Sequence, residues 1–201
     1  EKLSKSDGAL AIADLRDEAV LEAITITSFL GRLGTPDGPQ PYQQLSSLAA
    51  AFDMAKFGKS SPKMDITELY QLNAKTVRGM PFAAVQDRID ISEEQWCAIR
   101  ANLEKLSDAD AWLRVINGPV QPVIQDPDFA VQAAALLPAG PLGPNSWREW
   151  ATIVKDKTGR KGKDLFQPLR LALTGMERGP EMAALLPLLG RETILKRLGA
   201  A

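Results

Sequence analysis

Two stretches of this sequence carry residues whose type and spacing could do chemistry. Near the start, Lys2-Leu-Ser-Lys-Ser6 places two lysines three positions apart on a short polar run, with Gly8 just after. Two ammonium groups so placed can approach a triphosphate together and offset the charge that develops as pyrophosphate leaves a nucleotide. Alone, such a run is also an ordinary surface feature. Towards the end comes Gly159-Arg-Lys-Gly-Lys-Asp-Leu-Phe-Gln-Pro-Leu-Arg170, continuing through Leu-Ala-Leu-Thr-Gly-Met-Glu-Arg to Gly179-Pro180. Lys155, Lys157, Arg160, Lys161 and Lys163 crowd around its first glycines and could meet phosphates, with a solvated loop as the alternative.

Charge follows the same division. Residues 148–201 hold 11 Lys/Arg against 6 Asp/Glu, which is +5, whereas residues 1–147 hold 13 against 19, which is −6. The net charge of −1 over 201 residues conceals both. A basic bundle at one end is what a phosphate backbone attracts, although ordinary surface charge gives the same count.

The elements that must position these residues read as helices. Leu21, Ile24, Phe29, Leu30 and Leu33 form one apolar stripe; Leu45, Leu48 and Phe52 form a second; Ile66, Leu69, Leu72 and Thr76 a third. Ser92 and Gln95 read as a capping box opening a helix that carries Trp96, Ile99, Leu103 and Leu106. Ser107 to Asp110 opens the next, Asp126-Pro127 another, and Ser146 with Glu149 a second capping box. Gly159 ends that helix in a left-handed conformation, Pro180 opens one that stops near Gly190, and Arg191 to Leu198 form the last. Val120 and Val123-Ile124 lie among prolines, which disfavours a strand, while a short pairing near Ala9 to Ile12 is conceivable. The expected fold is mainly α, with nine to eleven helices and little or no β. Breaks rich in Pro and Gly suggest three parts, 1–40, 41–118 and 119–201.

Composition excludes several chemistries. With no His, the chain holds neither a Ser-His-Asp nor a Cys-His nucleophilic set. A single Cys rules out an internal disulfide framework and a multi-Cys zinc site, so no metal site is expected, and it suits a reducing compartment. No stretch approaches the roughly 18 consecutive apolar residues of a membrane span. The polar start is not a secretory signal, and the missing initiator Met suggests a chain that begins mid-protein. Cys97 is expected as a packing residue, and Trp96, Trp112, Trp147 and Trp150 as core or junction anchors, with base stacking the other reading.

Taken with Leu185-Leu-Pro-Leu-Leu-Gly190 and Ile194-Leu-Lys-Arg-Leu198, the long basic motif resembles the C-terminal anticodon-binding region of bacterial glutamyl-tRNA synthetases, which are class I aminoacyl-tRNA synthetases. The likeness is close over about the last forty residues and looser before them. Lys2 to Ser6 then resembles the class I KMSKS motif, with Leu3 in place of Met and Asp7-Gly8-Ala9 after it. The resemblance implies a helical stem-contact region followed by helical-bundle anticodon-binding domains. The nucleotide-binding fold with its His-containing motif is expected upstream of this chain. A glutaminyl-type enzyme would carry β-barrels here instead.

The resemblance also implies roles. Lys2, Leu3, Ser4, Lys5 and Ser6 would form the ATP-binding loop, with Lys5 touching ATP. Arg170 would read an anticodon base, for which its planar fork is suited. Gly179, Pro180 and Met182 would line the base pockets, and a third-base arginine would fall at Arg100 or Asn102. The implied partners are tRNA(Glu) and, as a second candidate, tRNA(Gln), with neither DNA nor membrane, in a cytoplasmic monomer. ATP with magnesium would serve the parent enzyme, and this chain alone would be inactive. A helical protein-interaction module without RNA binding is the alternative.

Overall fold

The computed structural model describes residues 12–60 and 62–199. Lys2 to Ser6 therefore lie outside the described residues, as does most of the conceivable pairing near Ala9. Ile12 itself opens a helix rather than a strand. Among the described residues there is no strand; eleven α-helices are joined by short 3-10 turns and loops. None of these helices is long and apolar enough to cross a membrane. The chain divides into two compact units, one from its start to Asp90 with Leu103–Ala109, the other Ile91–Asn102 with Asp110–Ala201.

The first unit contains α1 (Ile12–Asp17), α2 (Ala23–Arg32), α3 (Leu45–Ala51) and α4 (Ile66–Gly79). Its core joins Leu15, Leu21, Ile26, Phe29, Leu69 and Leu72, so two of the three expected stripes meet. The stripe of α3 does not behave as expected: Leu48 is buried, but Leu45 and Phe52 are exposed. A seven-residue helix offers only one position per turn to a neighbour. Phe52 instead lies beside Phe57, with ring centroids 5.5 Å apart.

Buried polar groups tie the unit together. Asn73 is fully buried; its Oδ1 accepts from the Glu22 amide at 2.9 Å, and its Nδ2 donates to the Glu104 carbonyl at 2.8 Å. Arg78 Nε donates to the Leu103 carbonyl at 2.9 Å, and Asp108 accepts from the amides of Glu104 and Lys105. These bonds explain a departure from the sequence reading. The helix opened by Ser92 does not run on to Leu106, because the backbone groups of Leu103, Glu104 and Lys105 are already bonded elsewhere. Asp108, not Ser107, receives the free amides ahead of α6 (Ala109–Asn117).

The second unit contains α5 (Glu93–Ile99), α6 from Asp110 onward, α7 (Pro127–Ala135), α8 (Ser146–Thr158), α9 (Lys163–Thr174), α10 (Met182–Leu189) and α11 (Arg191–Arg197). Ser92 and Gln95 form the expected reciprocal capping box. Asp126 caps α7 with Pro127 in its first turn, and Gly159 ends α8 at φ 72°. Ser146 differs. It is the first residue of α8, and its hydroxyl accepts from the Gly143 amide at 2.8 Å, so it fixes the entering loop instead of capping the helix. Cys97 is exposed, contrary to its expected packing role, since a residue adjacent to buried Trp96 points about 100° away around the helix.

Trp96, Trp112 and Trp150 are core residues, and Trp150 Nε1 donates to the Ala133 carbonyl at 2.9 Å. The core also holds one unexpected cation. Arg197, 4% exposed, donates to the carbonyls of Leu173, Val115 and Gly118 at 2.7, 2.7 and 3.0 Å. Leu173 lies in the last turn of α9, and Val115 and Gly118 lie at the end of α6. Carbonyls there lack helical partners and carry the negative end of the helix dipole, so a guanidinium suits them in both respects. Burial lowers the Arg197 pKa, but an arginine remains charged.

Replacing Arg197 by Met keeps the apolar stem and strands three carbonyls. We expect a loss of roughly 3 kcal/mol or more, read as a lower urea midpoint with little change in slope. A second expectation concerns acid. The Phe129 amide first, and the Arg160 side chain second, hold the Asp126 carboxyl below the usual carboxylate range. A depressed folded-state pKa gives stability that is complete above the unfolded value and is lost as pH falls through the folded one. Asp126→Asn should therefore flatten the acid limb of a plot of unfolding midpoint against pH.

Candidate nucleic-acid interface

Within the second unit, α8, α9 and the start of α10 surround a cavity of about 310 Å³ lined by Trp147, Phe166, Arg170, Glu181, Met182 and Ala183. Two residues expected from the sequence, Arg170 and Met182, thus line one depression. Phe166 and Arg170 stand four residues apart on α9 and share a face. Pro168 lies between them without breaking the helix; it leaves the Asp164 carbonyl, in the first turn, without an intrahelical amide.

Arg170 is held by one arm. Its Nη2 donates to the Pro180 carbonyl at 2.9 Å, which fixes the turn into α10. Its Nη1 is buried and has no hydrogen-bond partner among the described residues. Burial also lowers its pKa. A buried guanidinium donor without a partner is costly.

Pro180 is buried and does not line the cavity; its carbonyl accepts from Arg170. Gly179 acts differently from a lining residue. A Cβ there would lie 1.9 Å from the Trp112 ring, and its φ is 150°. It is glycine so that the indole of Trp112 can lie against the backbone, which sets the position of Pro180. Arg100 and Asn102 sit in a 3-10 turn after α5, half-buried and exposed respectively, and neither lines the cavity.

The expected cationic cluster separates into two kinds of residue. Lys155, Lys157, Lys161 and Lys163 are exposed, and none forms an ion pair among the described residues. Arg160 is engaged: its guanidinium lies 4.1 Å from the Phe129 ring centroid and pairs with Asp126. It anchors the loop to α7.

Four residues of the cavity, Trp147, Phe166, Glu181 and Ala183, were not singled out for it by sequence reasoning. Trp147 was read as an anchor; it is half-buried, with its ring 5.7 Å from that of Trp150 and 6.0 Å from that of Phe166. Phe166 is 43% exposed. Glu181 is the exposed residue before α10. The four-residue spacing of Phe166 from Arg170 was the one available signal.

This geometry lies where comparison with known proteins is most specific. A family described as "Anticodon binding domain" matches residues 146–201, which span α8 to α11. Over those helices the chain resembles anticodon-binding domains. Over 98% of its length the chain resembles glutamate–tRNA ligase 1 of Maricaulis maris at 49% identity, of Parvibaculum lavamentivorans at 45% and of Rhodospirillum rubrum at 44%. In fold it resembles the glutamate–tRNA synthetase of Elizabethkingia anophelis, with a TM-score of 0.73 over 99% of this chain at 16% identity. The chain spans about half the length of these relatives, 45% of the three ligases and 47% of the solved chain. It resembles the C-terminal portion of bacterial glutamate–tRNA ligases, as its motifs imply.

Gly179→Ala tests the account of the turn. Overlap with the Trp112 ring and the strained φ should lower stability by about 2 kcal/mol or more, with a shift in tryptophan emission as the indole is displaced.

Proposed function

We propose that this chain is the tRNA-binding, anticodon-reading portion of a glutamate–tRNA ligase. The observation that carries this reading is the cavity of α8, α9 and α10, lined by Arg170 and two aromatic side chains, inside the region matched by the anticodon-binding family. Single-stranded bases can be splayed into such depressions, which is the usual way RNA sequence is read.

In this reading the parent enzyme activates glutamate with ATP and magnesium and attaches it to tRNA(Glu), with tRNA(Gln) a second substrate to be tested. Lys2, Leu3, Ser4, Lys5 and Ser6 serve the ATP site of the parent. Arg170 reads a base, Met182 and Pro180 shape its pocket, Gly179 sets the turn, and Arg100 serves the third anticodon base. The protein acts in the cytoplasm as a monomer and binds neither DNA nor membrane. This chain alone forms no glutamyl-adenylate. Residues 1–40 contact the stem, and 41–118 and 119–201 hold the two anticodon-binding parts.

Binding of a tRNA(Glu) transcript, titrated with salt, tests the reading. The slope of log affinity against log salt should be steeply negative. It should shrink by about one unit for each phosphate-contacting residue removed among Lys155, Lys157, Lys161 and Lys163. Arg170→Ala should cost about 1–3 kcal/mol and erase discrimination between anticodon variants. Arg170→Lys should not restore it, because an ammonium lacks the fork. A flat slope, with Arg170→Ala neutral, would leave a protein-interaction module instead.

A further inference from the structure

We propose that a groove on the outer face of α4, in the first unit, holds the phosphate backbone of a bound RNA strand through Lys75, Arg78 and Lys105. This rests on the reading of the chain as tRNA-binding. It adds a contact outside residues 146–201, the part matched by the anticodon-binding family. Four observations support it. First, the groove is a cavity of about 300 Å³ whose lining includes Tyr70, Ala74, Lys75, Arg78 and Glu104, all within the first unit. Tyr70, Ala74 and Arg78 stand four residues apart on α4 and share a face. Second, the Arg78 guanidinium is held in place: Nε donates to the Leu103 carbonyl at 2.9 Å, while neither Nη has a partner among the described residues. Third, Lys105 Nζ lies 5.6 Å from the centroid of the Tyr70 ring, so a cation from the neighbouring segment stands beside the same face. Asn73 Nδ2 bonds the Glu104 carbonyl and ties that segment to α4. Fourth, none of the three cations forms an ion pair among the described residues, although residues 1–147 carry a net −6. Acids are plentiful in this part of the chain, yet these cations are left without them.

The arrangement suits a row of phosphates. A rise of 1.5 Å per residue sets Lys75 and Arg78 about 4.5 Å apart along the helix axis. Thr67 and Gln71 also line the cavity and extend the row with neutral donors of the kind that meet phosphate oxygens. The two Nη groups of Arg78 offer a fork that matches a pair of such oxygens. Tyr70, with Lys105 over it, supports a cation and does not offer that face to a base. Glu104 is the one carboxylate among the lining residues, so the cations exceed it by two. A contact of this kind fixes where the RNA lies and carries no sequence information.

The test measures affinity of the 201-residue chain for a tRNA(Glu) transcript across a salt series. Arg78 is left intact because its Nε holds the Leu103 carbonyl. Lys75→Gln and Lys105→Gln, which remove no printed hydrogen bond of these side chains, should each reduce the slope of log affinity against log salt by about 0.7–0.9. Binding at about 0.1 M salt should weaken roughly 3- to 10-fold, equally for every anticodon variant. Glu104→Gln should act in the opposite direction and tighten binding about two-fold or more. Ethylation of single phosphates in the transcript should locate the strand: at one phosphate, the loss on ethylation should disappear in Lys75→Gln. Unchanged slopes for both lysine variants would overturn the groove. So would protection of Lys75 from acetylation by inorganic phosphate or by polyglutamate as complete as that by the transcript, which would make the cavity a general anion site. If the slope still falls when Lys157 or Lys161 is replaced, the tRNA-binding reading stands and the groove alone fails. A flat slope for the unaltered chain removes both.

Discussion

Three carbonyls at the ends of two helices converge on one buried guanidinium, and the second unit depends on that arrangement. Arg197 joins Leu173, Val115 and Gly118 and so ties α11 to the C-terminal ends of α9 and α6. Helix ends buried without such partners would be costly, since each unpaired carbonyl bears a desolvation penalty. Because α9 carries both Phe166 and Arg170, the bond that fixes its C-terminal end also limits how its outer face can move. The other end is set by Gly162 and by the loop that Arg160 anchors over Phe129. The candidate site is thus carried on a helix restrained at both ends, which favours precise presentation of side chains.

A parallel logic governs the turn before α10. Gly179 lets the Trp112 indole lie against the main chain, and Arg170 Nη2 takes the Pro180 carbonyl that this packing presents. One nitrogen of this arginine fixes the turn into α10, and another is buried without a partner among the described residues. In the first unit Asn73 has the same economy of function, bonding Glu22 with one atom and Glu104 with another, but it is fully buried and satisfied.

Much of this fold was legible because its determinants are local. Ser92 with Gln95, Asp126 with Pro127, and Gly159 act within one turn of where they stand, and all three formed as read. What was not legible depends on distant partners. The helix from Ser92 stops at Ile99 because Arg78 and Asp108 engage the backbone of the residues beyond. Arg197 on a terminal helix reads as surface charge until the carbonyls of α6 and α9 are placed around it. At the candidate site, Arg170, Pro180 and Met182 were visible through a motif. Trp147 and Phe166 were not assigned to it, because an aromatic residue at helical spacing looks the same whether it fills a core or borders a cavity.

The separation of Arg160 from the neighbouring lysines bears on how binding would divide between attraction and reading. Exposed lysines interact through water and mobile ions, so their effect is long in range, additive and weakened by salt. They raise the local concentration of any phosphate chain and do not distinguish one base from another. Arg170 is partly desolvated and held by the Pro180 carbonyl, so any contact it makes acts at short range and tolerates one geometry. Were the exposed lysines the whole of the recognition, any RNA hairpin would serve equally. Were the cavity the whole of it, affinity would be insensitive to ionic strength. In the proposed reading, four exposed lysines and one restrained arginine within the same unit would meet the two requirements with different residues, so salt should change how strongly an RNA is held far more than which anticodon is preferred.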